Sequence, residues 1–507
     1  MNIRKLLTRL VSLALIVVFL PTVAMADTWY LEDGSITVSA TDSGQNVSQG
    51  GVTKADSAPV IRNRDSSAST TNNVTIRADT GATANVTLED TNIDTTGGAG
   101  PNGAGDAAVR TEGGGNVNLN VELDNTLQSG NGHAGVEKGN GGNLTIGSES
   151  GSGQLVAVGG HGGAGIGSGD GRTTGIHDVG NITITGGDIF AIGNGGGAGI
   201  GGGWESDATD ITITGGNVTA EARQEGPQYV GGAGIGGGGY QNKYYGNGTN
   251  IKITGGHVTA IGGNCSAGIG GSMYSDGENI SISDAEVIAV GGTGSAGIGG
   301  GNGGGEGKNI SISGSANVKA AGGVGDSMDG AGAAIGAGGS HQGTTLVDAQ
   351  EGDVGTSGLS PDGSVKRLDP GTTFDIPQPK PRSSFPKPAP DPVAVEEDPQ
   401  PVKAALYRVI DDAGKALPVE TKQEDGVLLL TAQADIAILE GTISGLQTLQ
   451  SRGIDTITFT NGTISVSFSL AEVIAKGASP DIYRLTLSGG EASFTLGDAD
   501  ITALLGK

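Results

Sequence analysis

Three aromatic residues stand at matching places along the chain. Trp204, Tyr240 and Tyr274 each follow a run of glycines, with Tyr244 and Tyr245 close by. Acidic residues share these segments: Glu205 and Asp207 beside Trp204, Asp276 beside Tyr274. The chemistry open to such a set is binding. A flat apolar ring can cover the face of a sugar, and neighbouring carboxylates accept hydrogen bonds from sugar hydroxyls. These eight residues are the candidate ligand-binding set. The competing reading is structural, with the rings lying over an edge and shielding backbone. Cleavage of a glycosidic bond would need carboxylates, or a Lys or Arg base, clustered at a groove. The exposed strand positions are Thr, Ser and apolar residues instead, so no catalytic residue is assigned.

Metal chemistry finds little footing. His133, His161, His177, His257 and His341 show no ligand spacing and read as turn or surface residues. The acidic excess and the Asp-containing loops would suit calcium, which takes hard oxygen ligands. The Gly-Gly-x-Gly-x-Asp calcium nonapeptide is not met. No cofactor is required by the pattern, and calcium is the one that it accommodates.

The elements that must position these residues come from a repeat. Residues 181–203 read Asn-Ile-Thr-Ile-Thr-Gly-Gly-Asp-Ile-Phe-Ala-Ile-Gly-Asn-Gly-Gly-Gly-Ala-Gly-Ile-Gly-Gly-Gly, and similar units start at 85, 116, 143, 210, 250, 279 and 309. A period of this size marks a solenoid whose units stack and are not stable alone. Each unit holds three strand signals. The first alternates apolar and polar residues (Ile182 and Ile184, Ile211 and Ile213, Ile251 and Ile253), so one face is buried. The second is the Val218-Thr-Ala220 type. The third is Ala-Gly-Ile-Gly, with Ile166, Ile200, Ile235, Ile269, Ile298 and Ile335 as its large residue. Three strands and three corners make one triangular coil, and stacked coils make a parallel β-helix. The 99 glycines fit such corners and exclude a helical domain. The recurring Asn is expected to form a corner ladder, its amide bonding to the coils above and below. Asp210 departs from that pattern. The outward threonines are interrupted by Lys252 and then by serines, so they read as ordinary strand residues and not as an ice-binding row.

Charge narrows the partners. The formal net charge is −26, which excludes nucleic acid, whose binding needs a basic surface. A single cysteine, Cys265, allows no internal disulfide. Residues 1–26 carry a basic start, an apolar run from Leu10 to Leu20 and Ala24-Met25-Ala26, the pattern of a secretory signal. No other apolar run is long enough for a membrane span, so the mature chain is expected to be secreted or associated with a cell surface.

In order, residues 27–84 are expected to form an N-terminal cap and first coils, and 85–369 the repeats and end cap, with Leu346 and Val347 as plugs. Residues 370–401 hold ten of the 17 prolines and read as a stiff, extended linker. Residues 402–507 read as a small α+β domain. Asn461-Gly462 predicts a two-residue hairpin turn and Gly489-Gly490 a second hairpin. Ser469-Leu-Ala-Glu472 predicts a capping box, and a helix is expected from Ile443 to Arg452. The fold class is all-β, a right-handed parallel β-helix followed by this linker and domain.

The Asn-Ile-Thr-Ile-Thr-Gly-Gly-x-Val-Thr-Ala and Ala-Gly-Ile-Gly-Gly-Gly runs resemble the β-helical repeat surface and adhesin-like exoproteins of Gram-positive, clostridia-type bacteria. Together with Asp-Gly-Ser-Ile-Thr-Val at 33–38, they are also similar to the clostridial carbohydrate-binding β-helix family, over about residues 27–340. That resemblance implies a right-handed β-helix, polysaccharide or cell-wall glycan as partner, and calcium in the coils. No local motif carries over its ligand residues. Three functions stand open: non-catalytic polysaccharide binding, structural or adhesive recognition of a host or bacterial surface protein, and polysaccharide cleavage.

Overall fold

The computed structural model describes residues 27–385 apart from 98–104, 176–177, 224–229, 240–245, 327–328, 343–344, 350 and 353. It also describes 407–506 apart from 413–414, 416, 418, 425, 433, 452–453, 478–480 and 498. The signal segment, His177, Tyr240, Tyr244 and Tyr245 lie outside the described residues. Two compact units divide the chain, residues 1–390 and 391–507.

The first unit is a right-handed parallel β-helix with three sheets. Its first sheet stacks the Asn-Ile-Thr-Ile type of strand in register: Ile182, Ile211 and Ile251 align, as do Ile184, Ile213 and Ile253. The second sheet aligns Leu155, Ile189, Val218, Val258, Val287 and Val318. The third aligns Val109, Val136, Ile166, Ile200, Ile235, Ile269, Ile298 and Ile335. All these side chains are buried and belong to one continuous apolar cluster. Adjacent rungs lie ~4.8 Å apart, the spacing of paired strands, so each Ile packs on its own counterpart.

Glycine does more here than turn corners. Gly201, Gly236 and Gly270 follow the third-sheet Ile with φ of 133°, 138° and 133°. A Cβ on them would lie 2.1, 2.0 and 2.1 Å from the carbonyl oxygen of the glycine one coil on. No other residue permits both that φ and that approach.

The Asn ladder forms, and its geometry explains both Asn and the exception. Asn181, Asp210, Asn250, Asn279 and Asn309 have φ between 52° and 57°, a region that Asn and Asp tolerate best after glycine. Asn250 donates its amide to Asp210 at 3.0 Å, Asn279 to Asn250 at 3.2 Å and Asn309 to Asn279 at 3.0 Å. Each amide donates one way and accepts from the other. Asp210 can only accept, so the ladder begins there. The earliest copy is in a different register from the one its Asn85 suggests: Asn85 aligns with Asn118, and Thr83 with Asn116.

The far end, more than the near one, differs in detail from expectation. Within residues 27–84, Thr28–Tyr30 and Val60–Arg62 already join the first sheet. An antiparallel pair, Gly44–Gln49 with Val52–Ala55, closes the N-terminal edge of the third sheet. At the far end the apolar covers are Val354, Leu359 and Val365, on a segment that adds one more rung through Val354–Gly355 and Ser364–Leu368. Leu346 and Val347 sit in a short hairpin with Ser340–Gln342. Val347 is half-buried, and the Leu346 side chain lies outside the described residues.

The proline-rich stretch is not a free spacer over its described part. Residues 371–385 run back along the outer face of the second sheet. Gly371 N–H donates to Gly322 O at 2.9 Å. Counted from the Ser364–Leu368 strand, Lys380 is bonded five and six rungs earlier, at Asp188 and Gln154, and Arg382 seven and eight rungs earlier, at Asp124 and Asp90. Eleven residues of polyproline-type chain at ~3.1 Å each span ~34 Å, which matches seven rungs at ~4.8 Å.

The second unit has a five-stranded and a four-stranded sheet with helices at Ile443–Ser451 and Leu470–Ile474, an α+β unit with its own core. Ser488 pairs with Glu491 across Gly489-Gly490, a two-residue turn. The Asn461-Gly462 turn is longer, because Thr460 pairs with Ser465 and four residues close the loop. Asn461 Oδ1 accepts from the N–H of Thr463 and Ile464, both at 3.0 Å, and that Asx-type closure replaces the tight turn. Ser469 caps the short helix by position only, with no side-chain bond.

Because Ile253 is fully buried between Ile213 and Ile282, Ile253→Ala is expected to destabilise the unit by about 2–5 kcal/mol. Gly270→Ala should cost at least as much. Chemical denaturation followed by circular dichroism measures both, and a change under ~0.5 kcal/mol at Ile253 would contradict the internal column.

Candidate functional site

Trp204 follows the third-sheet strand Ile200–Gly201. Its N–H donates to Gly162 O at 2.9 Å, and its indole Nε1–H donates to Gly195 O. The ring crosses Gly162 and Gly196, where an added Cβ would meet indole carbons at 2.8 and 2.4 Å. It also meets the His161 ring edge-on, with centroids 4.7 Å apart. Trp204 is therefore half-buried and seals a glycine corner. Tyr274 does not hold the matching place that the sequence suggested. Ile200 aligns with Ile269 and Ala208 with Gly277, so Tyr274 stands at the position of Glu205, with the same left-handed φ of 56° against 55°, and the residue is 54% exposed. Its N–H donates to Asn302 O at 2.7 Å, and the ring rests on Gly303, where a Cβ would lie 2.2 Å from it. Partial burial, then the Asp329 carboxylate, push the Tyr274 hydroxyl above its usual range, so it stays protonated. The strands that carry them, Ile200–Gly201 and Ile269–Gly270, are two rungs, ~10 Å, apart. Trp204 leans back over the earlier coil and Tyr274 forward over the next.

The acidic members are bound into the scaffold. Asp207 Oδ1 accepts from Asn247 N–H at 2.6 Å, Asn247 Oδ1 from Asp276 N–H at 2.9 Å, and Asp276 Oδ1 from Glu306 N–H at 2.8 Å. This is a staircase in which each side chain caps the next coil's backbone. Lys308 Nζ meets the other oxygen of Asp276 at 2.6 Å. Glu205, at φ 55°, pairs with Arg172 at 2.8 Å. Tyr240, Tyr244 and Tyr245 cannot be placed, being outside the described residues. Among the described residues no three His, Cys, Asp or Glu side chains converge on a point. Asp207 and Asp276 each spend an oxygen on the backbone of the next coil.

A second polar cluster escaped the sequence reading. His133 is not a surface residue: it is 7% exposed, with Nδ1 2.8 Å from Glu137 Oε2. Arg110 Nε donates to Glu137 Oε1 at 2.8 Å, and Glu137 is fully buried. The same Nδ1 also lies 3.1 Å from Arg110 Nη2, so His133, Arg110 and Glu137 form one compact polar cluster. Lys138, next in the strand, is 5% exposed and donates to the carbonyls of Asn140 and Gly142 at 2.6 and 2.9 Å. Burial lowers its ammonium to about 8. The repeat hid this cluster because Glu137 occupies the place of Gly167 in the next coil.

The second sheet carries a column at the residue that opens each strand: Asp124, Gln154, Asp188, Asn217, His257, Glu286, Asn317 and Ser364. Neighbours bond along it, as in Gln154 to Asp124 at 2.7 Å, Asn217 to Asp188 at 2.7 Å and Ser364 to Asn317 at 2.8 Å. The signal was present in the sequence, since a polar residue precedes each Val-Thr-Ala-type strand. Beside the column a cavity of about 440 Å³ opens between Thr259, Glu286, Lys319, Lys366 and Pro377.

Residues 182–204, 211–239 and 251–273 match the beta helix repeat family. The protein is thus a β-helical repeat protein, and such repeats are found in surface proteins, adhesins and polysaccharide lyases and hydrolases. Comparison with curated proteins and with solved structures returns no match.

Two outcomes follow. Trp204→Ala opens a glycine corner and leaves the Gly195 carbonyl without its indole donor, so the thermal midpoint should fall by several degrees, equivalent to about 2–4 kcal/mol. For Lys138, the folded value of about 8 lies below the ordinary lysine value of 10.5. The unfolded chain therefore binds more protons between those values, and stability rises as pH climbs from about 8 toward 10.5. The full rise is about 3 kcal/mol. It should vanish in Lys138→Met, as read by denaturant midpoints across that range.

Proposed function

We propose that this is a non-catalytic exported protein that binds polysaccharide at the loop edge of its β-helix, with Tyr274 as the contact platform. One observation carries this reading: the Tyr274 ring is backed by Gly303, yet the residue is more than half exposed to solvent. A ring held against backbone loses little freedom on binding, and its open face suits the apolar face of a sugar. Repetition of the same corner geometry at ~4.8 Å gives a rigid edge along which a linear polymer can lie. Trp204 and the acidic residues serve this edge as scaffold, fixing the corners. The non-catalytic part is supported by the bonding of the candidate carboxylates: Glu205 to Arg172, Asp207 to Asn247, Asp276 to Lys308 and Glu306.

The adhesive reading draws on the same commitments, since a face whose polar groups are already paired suits packing against a protein. A signal segment and −26 net charge fit either reading with an extracellular place of action. No helix among the described residues is long and apolar enough to cross a membrane.

The test is a glycan array and an insoluble-polysaccharide pull-down, with and without calcium. The wild type is expected to retain on a β-linked or uronic-acid polymer. Tyr274→Ala should weaken that at least tenfold with its melting temperature unchanged. No glycan bound, or binding indifferent to Tyr274→Ala, removes the site. Release of reducing or unsaturated sugar during incubation would favour the enzyme.

A further inference from the structure

The outward positions of the second sheet ought to be wet. Phe190, Thr219 and Thr259 align on that outer face, yet they are 8%, 6% and 7% exposed. What covers them is the chain's own proline-rich segment. Pro377 lines one cavity with Thr259 and Ile288, and Lys380 is held at Gln154 and Asp188, so the residues between cross the rungs of Phe190 and Thr219.

The hold on this segment has the form of recognition. Gln154 reads the Lys380 backbone from both sides: its amide donates to Lys380 O at 3.0 Å, and its Oε1 accepts from Lys380 N–H at 2.8 Å. Asp188 takes the Lys380 ammonium at 2.5 Å. Arg382 enters a pocket of two carboxylates, with Asp90 at 2.5 Å and Asp124 at 3.3 Å, and donates as well to Thr91 O at 3.0 Å. Asp90, Asp124 and Asp188 are 8%, 3% and 7% exposed. Three buried carboxylates that meet two cations spaced two residues apart form a built site for a basic-x-basic strand. Pro381 between those cations, with Pro379 and Pro377 before it, keeps the strand extended so that both side chains reach the sheet.

We propose that the outer face of the second sheet is a recognition groove for extended, proline-rich peptides bearing Lys and Arg two residues apart, and that residues 376–385 are its resident ligand. The occupant is a segment of this chemistry, supplied here in cis, and the same segment added in trans fits when the resident is removed. This inference is independent of the Tyr274 edge, which lies on a different sheet.

No residue of the segment belongs to the buried core cluster, so its substitution leaves the β-helix folded. The experiment uses the full chain. In Lys380→Glu/Arg382→Glu the resident strand is expelled by the carboxylates, and hydrogen exchange over 371–385 should rise at least tenfold over wild type. A fluorescein-labelled peptide of residues 374–385 should then bind this variant at least tenfold tighter than wild type, whose groove is filled. The same peptide with both cations changed to Glu should not bind. Adding Asp90→Asn, Asp124→Asn and Asp188→Asn to the variant should abolish capture. Equal exchange in wild type and variant would show that the ion pairs do not hold the segment. Failure of the peptide to bind a variant whose exchange has risen would show ordinary packing in place of recognition. Binding at equal strength to wild type would place the peptide elsewhere, and each of these three results overturns the proposal.

Discussion

Everything in the first unit depends on one spacing: each strand hydrogen-bonds in register to its counterpart one coil away, ~4.8 Å distant. A side chain on one coil therefore meets its own equivalent on the next. Ile on Ile fills the interior without voids, as the columns through Ile184, Ile213 and Ile253 show. Where two backbones must pass closer than a side chain allows, as at Gly201 and Gly236, only glycine serves. The composition of the repeat is thus an outcome of the spacing.

The same constraint governs the polar residues. A charge repeated at every rung would face its own copy, so the exposed positions are filled by groups that can both give and receive. Asn250, Asn279 and Asn309 do so directly, while Asp207, Asn247 and Asp276 use backbone N–H of the next coil as donor. Where carboxylates do gather, at Asp90, Asp124 and Asp188, a foreign element with matching cations lies over them. Lys380 and Arg382 together are needed there because three buried acids would otherwise lack a cation, a costly arrangement.

Function follows from what the ladders leave over. Trp204 is consumed by the corner that it seals, with its indole N–H satisfied and its ring on two glycines. Tyr274 stands one repeat position further on, where the earlier coil has Glu205; its ring lies forward over a single glycine and the residue stays more than half exposed. Two aromatic residues one position apart therefore do different work, and the difference lies in the loops against which they lean.

The sequence by itself determined the solenoid, its three strands per coil, the inward columns and the corner Asn, since period and alternation act locally and repeat many times. It also determined the second hairpin and both helix positions of the C-terminal unit. Only the tertiary structure decided which polar residues were free. The pairing of Arg110 with Glu137, the bonding of Asp276 to Glu306 N–H and the docking of Lys380 onto Asp188 join residues far apart in the chain. Their partners are set by which coil lies beside which, and the register that brings them together follows from loop lengths that differ from one repeat to the next. The proline-rich segment shows the limit most plainly. Its composition dictates an extended chain, while the groove that receives it exists only once the rungs have stacked.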